Sequence, residues 1–156
     1  MGITLAILGA TLAVILSGIG SAIGIMIAAK SAAGALSEDP TKFGQYLPLI
    51  ALPGTQGIYG FIIGFLIFNK LGIISGNIID GLTFFRGLQF LVGSLPIAFA
   101  GLFTAIYQGK VCASGINLVS KQPTETGKAL TMGGLVEFYA ILGLLLSLFF
   151  VLFIKI

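Results

Sequence analysis

A single carboxylate inside a long apolar segment is the feature that most constrains this chain. Glu137 is the only charged residue between positions 129 and 154. An ionised carboxylate at bilayer depth is costly, so it ordinarily has a partner, takes up a proton or marks an ion path. The remaining segments must therefore supply whatever makes Glu137 tolerable at that depth.

The composition indicates an integral, multi-pass membrane protein. Of the 156 residues, 57% are hydrophobic and only 8% are charged, whereas a soluble domain carries about 25% charged residues. The eight Lys and Arg residues are scattered, which argues against binding to nucleic acid. The only cysteine, Cys112, excludes a disulfide framework. Because the sequence contains no histidine, a His-based metal site and a His-containing catalytic triad are excluded as well.

Four apolar segments are long enough to cross a bilayer, which takes about 20 residues. They cover about 3–35, 44–68, 82–119 and 127–154. Two of the three connections contain a Pro-Thr pair, beginning at Pro40 and at Pro123, and proline stops the preceding helix. The first segment is too long for a signal-peptide core, so we expect it in the mature protein. The sequence predicts an all-α membrane protein with four transmembrane helices.

The chain contains a tandem duplication with an offset of 83 positions. At this offset Gly18 aligns with Gly101, and the Pro-Thr pairs of the two loops align with each other. Each unit is one helical hairpin, so both copies have the same orientation in the membrane. We predict hairpins at 1–74 and 82–156, joined by a connecting loop at 75–81. Glu137 aligns with Gly54, so only the second hairpin carries the carboxylate.

The distribution of basic residues favours a cytoplasmic position for the two Pro-Thr loops. Five basic residues lie on the side of these loops, and three lie on the opposite side. They are, respectively, Lys30, Lys42, Lys110, Lys121 and Lys128, and Lys70, Arg86 and Lys155. Both termini are then expected outside.

Oxygen-bearing side chains occur at the depth of Glu137. Counted from Pro123, Glu137 follows by 14 residues and Gln108 precedes by 15. Thr55 and Gln56 follow the equivalent proline of the first loop by 15 and 16 residues. At 1.5 Å per residue these positions agree within about one helical turn. We therefore expect the four side chains at one level near the middle of the membrane.

The second segment is irregular at this same level. Pro53 lacks a backbone donor and clashes with the preceding turn, so we expect it to disturb the helix. Gly54 and Gly57 let the backbone bend. Irregular backbone at membrane depth is tolerated where it is buried in protein or lines a cavity. Tyr59 lies one turn beyond Thr55 on the same face, where its hydroxyl can fix a Glu137 oxygen.

Oxygen ligands are typical of hard cations. One carboxylate among neutral oxygens balances one positive charge, which favours Na⁺ over Ca²⁺ or Mg²⁺. Two structural interpretations stay open. The amides and hydroxyls can simply form hydrogen bonds between helices, and Glu137 can be a permanently protonated structural acid.

Small residues recur at a spacing of four on the first and third segments. Gly20 and Gly24 form one such row, and Gly101, Ala105 and Gly109 form another. Such rows allow close helix packing in lipid. We expect these two helices to form a tight layer, with the second and fourth helices, rich in Phe and Leu, outside it and facing lipid.

Three motifs resemble a known family, the proteolipid or rotor-ring subunits of V-type ATPases, and most resemble the K subunits of bacterial sodium-translocating enzymes. The motifs are LPGTQGIYG at 52–60, YQGK at 107–110 and VEFYAILG at 136–143. The resemblance covers essentially the whole chain. It implies a homo-oligomeric ring in the bacterial cell membrane. The ring turns against a membrane stator that supplies a basic residue, and a protein of the central stalk contacts the cytoplasmic loops of the ring. ATP hydrolysis takes place on other subunits, since this chain has no nucleotide site.

The resemblance also implies roles for individual residues. Glu137 would be the ion-binding carboxylate, held by Tyr59, and Pro53 and Gly54 would support the site. The other oxygens would come from the side chains of Thr55, Gln56 and Gln108 and from the backbone carbonyl of Leu52. Proton-translocating relatives generally keep the carboxylate and lack the Thr-Gln and Gln set, which favours Na⁺. Phe138 departs from close sodium-type relatives, which can have Thr there.

Three alternatives remain open at this stage. The same rotor can carry H⁺ on a protonated Glu137. A small four-helix exporter of the multidrug type, or a passive channel, also uses a membrane carboxylate, although the parallel repeat with one carboxylate argues against it. A purely structural packing proteolipid explains the glycine rows and leaves the oxygen cluster unexplained.

Overall fold

The computed structural model describes residues 1–79 and 81–155. Asp80, in the predicted connecting loop, and Ile156 lie outside the described residues. The described residues form helices and turns and contain no strand. The α-helices are α1 (Gly2–Glu38), α2 (Phe43–Ala51), α3 (Thr55–Lys70), α4 (Phe84–Lys121) and α5 (Thr126–Phe153).

Four helical spans are long and apolar enough to cross a membrane, as predicted. They are Gly2–Glu38, Pro40–Lys70, Phe84–Lys121 and Pro123–Phe153. The largest boundary difference is at the second and fourth spans, which start four residues before the predicted segments. There Pro40 and Pro123 each open a 3₁₀ turn that leads directly into the next helix. Proline fits a first helical turn because that turn needs no donor from its nitrogen.

The first Pro-Thr turn is held by the aspartate before it. Asp39 Oδ1 accepts hydrogen bonds from the Thr41 hydroxyl (2.6 Å) and the Thr41 backbone N–H (3.1 Å). These hydrogen bonds, the side-chain one foremost, hold the pKa of Asp39 below its usual value because they favour the ionised carboxylate. Lys42 Nζ lies 3.5 Å from the same carboxylate.

The two longest helices, α1 and α4, pack backbone against backbone. A side chain at Gly24 would collide with the Ala105 carbonyl, and one at Gly109 would collide with the backbone of Gly24. Gly20 lies equally close to the backbone of Leu102. The predicted tight layer of first and third helices is therefore present, and the glycines are what permits it.

The helices α3 and α5 lie outside this layer. Gly60 of α3 is in contact with Ala13 of α1, and Gly143 of α5 is in contact with Ala100 of α4. Phenylalanines on the outer helices are exposed, for example Phe65. However, α1 and α4 also expose large apolar residues, including Ile15, Met26, Phe99, Phe103 and Tyr107. The expectation that bulky apolar surface is confined to the outer helices is therefore wrong.

The end of the fold opposite the Pro-Thr loops is tied together by one lysine. Lys70 Nζ, at the end of α3, donates to the carbonyls of Leu152 (2.7 Å) and Ile154 (2.9 Å) at the end of α5. A cation bonded to the last carbonyls of a helix stabilises that end. We propose the division into hairpins 1–74 and 82–156 on the packing of α3 beside α1 and of α5 beside α4.

Candidate functional site

The second span is broken where the sequence predicts it. A 3₁₀ turn, Leu52–Gly54, separates α2 from α3 and contains the buried Pro53. Because Pro53 has no N–H, the regular ladder cannot continue through it. The turn is held from outside by Ser21 of α1, whose hydroxyl accepts the backbone N–H of Gly57 at 2.8 Å. Gly54 provides room for Ile25, whose Cδ1 lies 3.2 Å from a Cβ built on that glycine.

Two hydroxyl groups meet one oxygen of Glu137. The Thr55 hydroxyl is 2.6 Å and the Tyr59 hydroxyl is 2.7 Å from Glu137 Oε1. Both donors come from the first turns of α3, immediately after the 3₁₀ turn, whereas Glu137 lies near the middle of α5. The site therefore joins the two hairpins of a single chain.

Two amide groups meet the other oxygen. Gln108 Nε2 is 2.7 Å and Gln56 Nε2 is 3.2 Å from Glu137 Oε2. Both glutamines are completely buried, at 0% exposure. Each carboxylate oxygen thus accepts two hydrogen bonds, and four donors surround a half-buried Glu137. Such an arrangement stabilises the charged carboxylate.

A further contact orients Gln108 and was not predicted. Gln108 Nε2 also donates to the backbone carbonyl of Gly133 at 3.0 Å, and Gln108 Oε1 accepts from Gln56 Nε2 at 2.6 Å. Gly133 lies one turn before Glu137 on α5, and a Cβ there would press against Leu52. The only signal for this contact in the sequence is a glycine four positions before the carboxylate.

The oxygens around Thr55 outnumber the available hydrogens. The Thr55 hydroxyl has three acceptors in range: Glu137 Oε1, the Leu52 carbonyl at 3.0 Å and Gln56 Oε1 at 3.4 Å. A hydroxyl carries one hydrogen and can satisfy only one of them fully. The cluster of acceptor oxygens has the composition that a hard cation prefers.

Electrostatically, Glu137 stands apart from the other charged residues. Among residues 1–79 and 81–155, the ion pairs are Lys42–Asp39 and Lys128–Glu125, both in or next to the Pro-Thr turns. The described residues contain no group of three acidic, histidine or cysteine side chains that could hold a metal ion. A single carboxylate with neutral oxygens matches a monovalent rather than a divalent cation.

The structure thus brings together all the side chains grouped by depth counting, and it places the Leu52 carbonyl beside Thr55. Two stretches of the chain, residues 8–67 and 91–150, match the model of the ATP synthase C-subunit family. The chain belongs to this family. The two matches begin 83 residues apart, at 8 and at 91, which is the offset of the duplication.

Two relatives resemble most of the chain. The V-type sodium ATPase subunit K of Enterococcus hirae is 47% identical over 97% of this chain and 92% of its own length. The A-type ATP synthase subunit K of Methanocaldococcus jannaschii is 39% identical over 90% of this chain and 58% of its own length. These similarities confirm the resemblance to rotor-ring proteolipids that the three motifs indicated.

Proposed function

We propose that this member of the ATP synthase C-subunit family forms a membrane rotor ring and carries Na⁺ on Glu137 as the ring turns. One observation carries the proposal. Glu137, the only charged residue of its apolar segment, is surrounded by hydroxyl, amide and carbonyl oxygens of the same chain. The similarity to a V-type sodium ATPase subunit K supports the same conclusion.

The proposed ion ligands are the Glu137 carboxylate, the Thr55 hydroxyl, the two glutamine side chains and the Leu52 carbonyl. Gln56 and Gln108 now point Nε2 at the carboxylate. With Na⁺ present, each amide can rotate to offer Oε1 instead, because the two ends of an amide differ only in their hydrogens. Tyr59, a donor, keeps its hydrogen bond to Glu137 Oε1 and fixes the carboxylate. Pro53 and Gly54 support the turn that exposes the Leu52 carbonyl.

The neutral oxygens favour Na⁺ over H⁺ as cargo. A proton carrier needs a carboxyl group and one acceptor, and it gains nothing from a cluster of acceptors that lacks hydrogens. A cation among these oxygens relieves the shortage around Thr55. The same ring carrying H⁺ is the alternative outcome of the experiment below.

The proposed cycle follows from charge neutrality. With Na⁺ bound, the site has no net charge, so Glu137 can face the bilayer without the cost of a bare carboxylate. At the membrane stator, a basic residue competes for Glu137 and releases the ion, and a new ion enters before the ring advances. Each elementary charge crossing 100 mV corresponds to about 2.3 kcal/mol. ATP hydrolysis on other subunits supplies the torque through a central stalk, for which the Pro-Thr turns are the proposed contact, in a bacterial cell membrane.

Carbodiimide labelling of Glu137 tests the choice of ion. Carbodiimides modify protonated carboxyl groups, so a bound Na⁺ should block the reaction. In membranes held at one pH, we expect millimolar NaCl to slow labelling of Glu137, while equal concentrations of choline chloride do not. The modified residue is identified by peptide mass spectrometry.

Two variants sharpen the test. Thr55→Val removes one proposed ligand and should raise the NaCl concentration needed for protection. Thr104→Val is the matched control, because the Thr104 hydroxyl bonds only to the Ala100 carbonyl of its own helix, at 2.6 Å. Equal labelling with and without Na⁺ in the unmodified chain overturns the sodium proposal, and a native mass showing only single chains overturns the ring.

A further inference from the structure

The internal repeat leaves one half of a helix interface uncovered. Within the chain, the first hairpin contacts the second through α1 and α4. The first hairpin also has a second flank that faces away from α4, and so has the second hairpin. Because the hairpins are related by the offset of 83, the free flank of the second is the counterpart of the flank that the first buries.

The free flank of the second hairpin contains a groove of about 790 Å³. The groove lies between the start of α4 and the end of α5, and its walls include Gln89, Phe150 and Ile154. The counterparts of these three residues in the first hairpin, 83 positions earlier, are completely buried under the second hairpin; they are Ala6, Ile67 and Leu71. Equivalent surfaces are therefore covered in the first hairpin and open in the second.

We propose that a second copy of this chain covers the groove with its first hairpin, in the register set by the offset of 83. This inference rests on the proposed ring and adds the residues that join its copies. Such a contact is heterologous, since different surfaces meet, and repeating it generates a closed ring or an open array. It continues the α1–α4 interface from one copy to the next.

The groove has specific occupants in this register. Phe90 and Val151 of the second hairpin fill the core against the first hairpin. Their counterparts are Ile7 and Phe68, which are only partly buried in the single chain. Ile7 and Phe68 of the next copy should therefore enter the groove.

The inner helices should meet in the same register, with different spacing. Gly24 contacts Ala105 and Gly109 within the chain. The corresponding contact between copies joins Tyr107 to Ala22 and Met26 of the next copy. Tyr107 is 56% exposed and Met26 46% exposed in the single chain. An aromatic ring replaces a glycine, so the helices should lie farther apart between copies than within one.

The copy contact also accounts for the missing second ion site. Gly54 is the counterpart of Glu137, and Ile25 is the counterpart of Gln108. These two already lie together, as Glu137 and Gln108 do. Gln56, which faces Glu137, has Tyr139 as its counterpart, and Tyr139 is 68% exposed. Tyr139 of one copy should therefore pack over Gly54 and Ile25 of the next, where a second carboxylate site would otherwise form.

Cysteine cross-linking in membranes tests the register. In the full chain carrying Cys112→Ala, Tyr107→Cys is combined with Met26→Cys, and a bifunctional thiol reagent is added. We expect loss of the single-chain band and a ladder of multimers on a denaturing gel. Tyr107→Cys with Ile15→Cys is the matched control, because Ile15 is also exposed on α1 but lies about 16 Å from Met26 along the helix.

The outcomes separate the two proposals. A ladder for the first pair and none for the control supports the register. If native mass measurement shows a closed ring but the first pair gives no ladder, or both pairs give equal ladders, the register is overturned and the ring stands. If no ring forms even with the unmodified chain, both are overturned.

A second measurement does not depend on cysteines. Tyr139→Ala should make rings fall apart at lower detergent concentration, while Tyr139→Phe keeps them, because packing rather than the hydroxyl is at work. Protection of Glu137 by Na⁺ within assembled rings should be unchanged, since Tyr139 makes no contact with the proposed ion ligands. Rings of Tyr139→Ala that match the unmodified chain in resistance to detergent contradict the proposed packing over Gly54.

Discussion

Tyr59 and Glu137 lie 78 positions apart in the sequence, yet the tyrosine hydroxyl is 2.7 Å from Glu137 Oε1. The bond links α3 to α5 and shares its acceptor oxygen with Thr55. Tyr59 is a donor and is not among the proposed ion ligands. Its contribution is to hold the carboxylate in one orientation, which makes it separable from ligand binding by substitution.

Tyr59→Phe should weaken Na⁺ protection of Glu137 by about tenfold, because a hydrogen bond to a charged group contributes about 1.5–3 kcal/mol. The measurement is the NaCl concentration that halves carbodiimide labelling. Tyr139→Phe serves as control, because it also removes one tyrosine hydroxyl but lies away from the site. An unchanged NaCl requirement in Tyr59→Phe contradicts the orienting role.

Gln108→Leu should raise the NaCl requirement by more than about tenfold. It removes a proposed ligand and the 2.7 Å donor to Glu137 Oε2, and it leaves the Gly133 carbonyl without its partner. Without that donor, the carboxylate is less stable in its charged form, so H⁺ should compete better with Na⁺. Labelling measured from about pH 5 to about pH 9 should show protection lost at a higher pH in the variant than in the unmodified chain. Identical pH profiles rule this explanation out.

Gly24→Ala should destabilise the folded chain by about 1–3 kcal/mol, the usual cost of overpacking. The added methyl group collides with the Ala105 carbonyl and lies 2.8 Å from Pro53 Cβ. Gly44→Ala is the control, because no atom lies within 4 Å of a Cβ built there. Thermal unfolding in detergent should show a lower midpoint for Gly24→Ala only. Equal midpoints would mean that α1 and α4 separate easily.

Lys70→Met should loosen the last turn of α5 by about 0.3–1 kcal/mol, since it removes the cation from two terminal carbonyls. The variant keeps a long apolar side chain, so packing changes little. Hydrogen exchange of the amides that bond to this turn should be faster, while exchange near Glu137 stays the same. Lys128→Met is the matched control, because Lys128 pairs with Glu125 at the other end of the fold, at 2.6 Å. Unchanged exchange in Lys70→Met would show that the turn is held by packing alone.

Much of the arrangement follows from sequence because membrane helices obey simple rules. Apolar length sets the four spans, and the fixed rise per residue sets depth. Counting from the two loop prolines therefore groups Thr55, Gln56 and Gln108 with Glu137. Their roles as ion ligands remain predictions, because the same oxygens can serve hydrogen bonds between helices or the coordination of a cation.

Other contacts had no signal in the sequence. Ser17 donates to the Ile97 carbonyl at 3.1 Å, and the Ile97 N–H donates to the Ser147 hydroxyl at 3.0 Å. Pro96, next to this pair, lies within α4, where it removes a donor from the helix. Which carbonyl or N–H is thereby free to bond another helix depends on helix rotation and on local bending. Residue type alone does not determine either.

The contact between Gly24 and Gly109 also has a mechanical meaning. Where main chain touches main chain, no rotamer can shift to absorb a load, and protein interiors of this density compress very little. The long helices α1 and α4 are thereby clamped at the depth of Gln108, which is the residue next to Gly109 along the chain. A sideways force applied at the Pro-Thr turns is transmitted along this stiff pair, as along a beam, and reaches the carboxylate level with little bending.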